Sequence, residues 1–140
     1  MARYLAIDYG SKRCGLAISD PTFTIAQKLK TLNFTSIAKL ISELRQIIEE
    51  YQVVKIILGL PLNLQGQDSE KTREVRNIAG KLTAQLPVPV ILFDERFSTS
   101  RAEQVLHLLG KKPSRSREYI DQLAAQDILQ TYLDQEKSKG

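Results

Sequence analysis

Cysteine is almost missing from this chain. Cys14 is the one residue of its type, so no internal disulfide can form, and a reducing, cytoplasmic setting is expected. His107 is equally alone, which leaves no His and Cys cluster to hold zinc. There is no tryptophan, and the tyrosines and phenylalanines are scattered rather than interleaved with basic residues, unlike a single-strand binder built on base stacking. No apolar run approaches the ~20 residues of a membrane-spanning helix. Asp8 and Lys12 interrupt any apolar core of a signal peptide.

What is present fits one globular domain over residues 1–140, with 42% hydrophobic and 26% charged residues. Twenty Lys and Arg against sixteen Asp and Glu leave a net charge of +4, compatible with a nucleic-acid partner but not diagnostic of one.

The chain is organised around its first strand. Leu5-Ala6-Ile7 ends in Asp8, turns through Gly10, and resumes as Leu16-Ala17-Ile18, the pattern of a hairpin. Gln27 to Leu32 predicts a short third strand. Ile37, Leu40, Ile41, Leu44, Ile47, Ile48 and Tyr51 recur at helical spacing behind a cap at Thr35 or Ser36. Val53 to Leu58 predicts a strand covered on both faces, and Gly59 to Asn63 the loop after it. A second helix is expected from near Ser69 until Pro87 and Pro89 stop it, burying Val75, Ile78, Ala79, Leu82 and Leu86. Val90 to Phe93 predicts another buried strand, ended by Asp94-Glu95-Arg96. A third helix, capped by Ser98 or Ser100, runs to Gly110 with His107 on its exposed side. A basic loop, 111–117, precedes a last helix over 118–133 and a frayed tail. A meander followed by βαβ crossovers gives an α/β fold, a mixed five-stranded sheet flanked by helices.

Ligands of such sheets bind beyond the strands' carboxyl ends, where Asp8 and the Asp94–Glu95 pair both lie. On the last helix, at ~100° per residue, Asp121 shares a face with Ala124, Ala125, Ile128 and Tyr132, whereas Asp127 turns about 120° away. An inward carboxylate needs a partner or a metal, so Asp121 is the better candidate. Oxygen ligands of this kind select Mg²⁺ or Mn²⁺. The plainer alternatives are that Asp8 is a turn residue, that Asp121 answers the helix dipole, and that Cys14 is a small core residue.

Ile7-Asp8-Tyr9-Gly10-Ser11 with Gly15-Leu16-Ala17, Gly59-Leu60-Pro61-Leu62-Asn63 with Gly66, Asp94-Glu95-Arg96-Phe97-Ser98-Thr99, and Ile120-Asp121 with Ala124-Ala125 together resemble the bacterial YqgF (RuvX) family. The resemblance covers nearly the whole chain; Gln122 departs from the small residue the family often has there. It implies a ribonuclease H-like fold, kinship with RuvC-type resolvases, and an acidic site of Asp8, Glu95 and Asp121 acting as catalytic and metal-binding residues. It also implies a metal-dependent nuclease with Mg²⁺ or Mn²⁺ as cofactor, two ions being expected, and a role in maturing the 5′ end of precursor 16S ribosomal RNA. Resolution of Holliday junctions is the alternative. Lys12, Arg13, Arg96, Lys111, Lys112, Arg115 and Arg117 would then hold the phosphate backbone without reading sequence. Two rivals remain: the first phosphate loop of an actin-like ATPase, and a nucleic-acid-binding module that has lost activity. Partners are therefore precursor ribosomal RNA or branched DNA and no membrane, with monomer or homodimer left open.

Overall fold

The computed structural model describes residues 1–97 and 113–139. Strands β1 (Arg3–Tyr9), β2 (Arg13–Ser19) and β3 (Ala26–Asn33) form the expected meander. Helix α1 (Ile37–Tyr51) returns the chain to β4 (Val53–Leu60), and α2 (Glu70–Gln85) leads to β5 (Val90–Asp94). A 3₁₀ turn follows at Glu95–Phe97, and α3 is the helix Pro113–Lys139. The sheet order is β3-β2-β1-β4-β5, antiparallel on the β3 side of β1 and parallel on the other. The expected third helix, with His107, and Lys111 and Lys112 of the expected basic loop lie outside the described residues.

Strand alternation sorts the side chains onto two faces. Leu5, Ile7 and Tyr9 point with Leu16, Ile18, Ile56 and Leu58 towards α1 and α2, whose Leu40, Leu44, Ile47, Val75, Ile78 and Leu82 complete the larger core. Ala6, Ala17, Ala26 and Ile57 occupy the opposite face, against Ala125, Ile128, Leu129 and Leu133 of α3. Three alanines on the sheet and one on the helix let α3 approach closely. Lys55 closes the far end of this layer, its Nζ donating to Tyr132 Oη at 2.9 Å beside the Tyr4 ring.

Helix starts follow their capping residues. Ser36 accepts from Lys39 N, which decides between the two expected caps of α1. Ser69 caps α2 in a reciprocal box: its hydroxyl accepts from Thr72 N, and Thr72 Oγ1 accepts from Ser69 N. The fully buried Thr72 hydroxyl also donates to Pro61 O, tying the first turn of α2 to the end of β4. Thr72→Val is therefore expected to destabilise the fold by about 1–3 kcal/mol in urea unfolding, because Ser69 N loses its acceptor and Pro61 O its donor together. A loss below about 0.5 kcal/mol would show that this anchor is redundant.

Two expected elements need correcting. The strand 90–93 was expected to be buried, but β5 is the outer strand of the sheet, and Ile91 and Leu92 are exposed. Its apolar composition resembles that of β4 because composition cannot tell an edge strand from a central one. The last helix is longer than 118–133 at both ends. Residues 113–117 of the expected basic loop are helical, so Arg115 and Arg117 belong to its first turns, and the expected frayed tail is helical through Lys139. Pro113 suits a helix start, and Lys, Arg and Ser do not oppose helix formation.

Candidate active site

The α3-facing row of each strand ends at the carboxyl edge of the sheet. On β1, Ala6 is followed on that face by Asp8. Its antiparallel partner is Gly15, and Gly59 follows the Leu58 that pairs with Ile7. Asp8 is thus flanked by glycine on both sides. Neither is idle: a Cβ on Gly15 would lie 1.9 Å from the backbone oxygen of Asp121, and one on Gly59 would lie 2.5 Å from Glu95 Oε1 and 2.6 Å from Ile128 Cδ1. The two absent side chains admit the second and third acidic residues to the neighbourhood of the first.

Glu95 stands one residue past β5, in the 3₁₀ turn, and hydrogen-bonds to the Asp8 carboxyl. Burial, then the charges of Glu95 and Asp121, push Asp8 up to about 8, and Lys71 opposes the shift. Burial likewise raises Glu95, against the hydrogen bond from Asp8 and the charge of Lys71. Asp8, protonated near neutral pH, donates to Glu95, and the two titrate as a unit. Asp8 is accordingly no ordinary turn carboxylate, whose pKa solvent would leave unperturbed.

Asp121 faces the same cleft, as the helical spacing predicted. The cleft has a volume of about 270 Å³ and is lined by Asp8, Tyr9, Gly10, Ser11, Lys12, Arg13, Lys71 and Asp121. Gly10 N donates to Arg13 O at 2.9 Å, closing the turn between β1 and β2 on its rim. Asp121 is held by Arg13, whose Nε donates to Oδ2 at 2.6 Å. Among the described residues, no three Asp, Glu, His or Cys side chains stand at metal-ligating spacing. Asp8 and Glu95 are hydrogen-bonded to each other, and Asp121 is paired with Arg13.

The expected phosphate-binding cations fare differently. Lys12 lines the cleft. Arg13 lines it too, committed to Asp121. Arg96 is tied to Asp94 by contacts of 2.7 to 3.1 Å, holding that carboxyl below its usual range. Its guanidinium also sits beneath Gly66, in the loop that Asn63 closes by accepting from Gln65 N and Gln67 N. The Asp94-Glu95-Arg96 run therefore splits: Glu95 turns to Asp8, while Asp94 and Arg96 brace the neighbouring loop. Nothing is described for the side chains of Arg115 and Arg117, and Lys111 and Lys112 lie outside the described residues. Gln122 donates to Thr31 Oγ1 at 3.1 Å, so this departure from the resemblance serves packing of α3 on β3. Cys14 is fully buried, and burial pushes its thiol up to about 12, as suits a core residue.

Lys71 was not anticipated. It lies in the polar first turn of α2, with none of the apolar periodicity that marks a buried position. The signal available was its place just after the loop that leaves β4 at the sheet's carboxyl edge.

An all-oxygen donor set, two of whose members are driven towards protonation chiefly by burial, fits a hard divalent cation. Arg13 supplies positive charge to the third.

The solved structures similar in fold include Thermus thermophilus RuvC in complex with a Holliday junction substrate, with a TM-score of 0.61 and 14% identity, covering 100% of this chain and 98% of that one. The fowlpox virus Holliday junction resolvase is a second, with a TM-score of 0.52 and 14% identity over 95% and 99% of the two chains. At these identities the likeness establishes the ribonuclease H-like fold. Three curated relatives, each named "Putative pre-16S rRNA nuclease", come from Chloroflexus aurantiacus, Maridesulfovibrio salexigens and Dictyoglomus thermophilum. They are 40, 42 and 43% identical over 96, 94 and 94% of this chain, and the matches span 88, 97 and 95% of theirs. The family model described as "RuvX: Holliday junction resolvase" matches residues 2–135, and with relatives this similar over nearly the whole length, the chain belongs to the RuvX family.

Proposed function

We propose that this chain is a metal-dependent nuclease that hydrolyses phosphodiester bonds in precursor 16S ribosomal RNA, at its 5′ end, in the cytoplasm. The observation that carries the reading is the hydrogen-bonded Asp8–Glu95 pair, whose Asp8 lines with Asp121 a cleft that, among the described residues, otherwise carries only positive charge. The names of the relatives support the RNA substrate.

Asp8 and Glu95 would hold Mg²⁺ or Mn²⁺, and Asp121 would join them on release from Arg13. Bound there, one or two such ions supply activation of the attacking water and stabilisation of the leaving oxygen. To hold the cation, Asp8 would release to solvent the proton it donates to Glu95, leaving both as carboxylates. Arg13, once free of Asp121, and Lys12 present cations to the backbone phosphates without reading bases.

The test is cleavage by the purified chain of precursor 16S ribosomal RNA and of a four-way DNA junction, each with Mg²⁺, Mn²⁺ or chelator. Metal-dependent trimming of the RNA, lost by at least about 10²-fold in Glu95→Gln, is the expected result. Cleavage of the junction alone would replace this reading with that of a resolvase. Binding without cleavage of either would make the chain a non-catalytic module.

A further inference from the structure

We propose that Lys71 is a phosphate-binding residue of this cleft, contacting the backbone of the nucleic-acid substrate where it passes the Asp8–Glu95 pair. The inference rests on the function proposed above and adds a residue that neither the sequence motifs nor the family resemblance singled out.

Among the described residues, three cationic side chains line the cleft: Lys12, Arg13 and Lys71. Arg13 is bound to Asp121 at 2.6 Å. Lys71 makes no ion pair among the described residues, yet its charge is felt by both Asp8 and Glu95. A lysine serving only as counter-ion to the carboxylates would sit on one of them, as Arg13 does on Asp121. Lys71 instead remains exposed at the mouth, close enough to act on both acids and solvated enough to accept a phosphate. Its backbone is fixed. Ser69 and Thr72 bracket it in the capping box, and the Thr72 hydroxyl anchors that turn to Pro61. A long flexible side chain on a rigid base suits a point-charge contact to phosphate, which demands reach rather than fork geometry. Lys12 stands on the β1–β2 turn, so a strand lying in the cleft would meet cations from two separate elements.

The experiment measures binding of precursor 16S ribosomal RNA, and of a four-way DNA junction, over a salt series for wild type, Lys71→Gln, Lys71→Arg and Lys81→Gln. Lys81 is exposed on α2, about 15 Å further along the helix at 1.5 Å per residue, so its substitution changes the net charge equally but away from the cleft. Lys71→Gln is expected to weaken binding roughly tenfold at 0.1 M salt and to flatten the slope of log K against log salt by about 0.7 to 0.9, the value of one phosphate contact. Lys71→Arg and Lys81→Gln should keep the wild-type slope and the wild-type melting temperature. An unchanged slope in Lys71→Gln, with wild type still binding and cleaving, would overturn the assignment of Lys71 alone. Wild type that neither binds nor cleaves either substrate would overturn the function and this inference together. A counter-ion role would appear as a changed melting temperature in Lys71→Gln with binding intact, which also sinks the proposal.

Discussion

Asp8→Asn is expected to reduce metal-dependent cleavage by about 10³-fold or more while making the metal-free protein more stable. The loss follows because the variant keeps the shape of the side chain and removes the charge that would hold the cation. The gain follows from proton linkage. Asp8 ionises near 3.8 when unexceptional and only at about 8 in the fold. Between those values the folded chain retains a proton that the unfolded chain has lost, so the contribution of Asp8 to stability declines as pH rises. Without divalent cation, wild type should be more stable at pH 5 than at pH 8, and Asp8→Asn should lose most of that difference. The benefit to the variant should be of the order of 2 kcal/mol at pH 8 and small at pH 4, since Glu95 still titrates beside it. Urea unfolding in chelator at three pH values, with cleavage assayed on the same preparations, checks both halves. Retained cleavage by a folded Asp8→Asn protein would sink the acidic-site mechanism.

Gly15→Ala is expected to be the most damaging single-methyl addition in the sheet. The added carbon would lie 1.9 Å from the Asp121 carbonyl oxygen and 2.2 Å from its carbonyl carbon. These are helix backbone atoms, so no side-chain rotation relieves the clash, and α3 must lift from β2. Lifting it opens the layer formed by Ala17, Ala125, Ile128 and Leu129. A loss of about 3–5 kcal/mol is expected from urea unfolding, at the upper end for one substitution. Gly80→Ala, where a Cβ meets nothing within 4 Å, should be neutral or stabilising by up to about 1 kcal/mol in the same helix-forming chain. Equal stability of the two variants would show that α3 is not seated on Gly15 as described.

Much of this fold was legible because its elements obey one local rule each. The α1 stripe, the Ser69 start of α2, the β1–β2 hairpin and the inward face of Asp121 all follow from periods of 3.6 or 2. The illegible parts depend on partners distant in sequence. Nothing near Arg13 announces that it will pair with Asp121, nothing in Val90 to Phe93 tells that β5 has one strand neighbour among the described residues, and nothing around Arg96 separates a phosphate ligand from a brace for Asp94. The start of α3 was obscured by its basic residues, which read as loop because they have no core to face. Lys71 was hidden for the opposite reason, being ordinary on its own helix and significant only across the cleft.

The Arg13–Asp121 bond joins residues 108 positions apart, and it bears on how the protein is made. Synthesis proceeds from the amino end, and every strand precedes α3 in the chain. Asp8 and Glu95 can therefore come together on a nascent chain that has no Asp121 to offer. The cleft gains its third acid and its helical wall only when α3 emerges and docks, a closure over most of the chain that is slow relative to hairpin and helix formation. On the function proposed above, the acidic site of such a nuclease stays unfinished on the ribosome until α3 has emerged and docked.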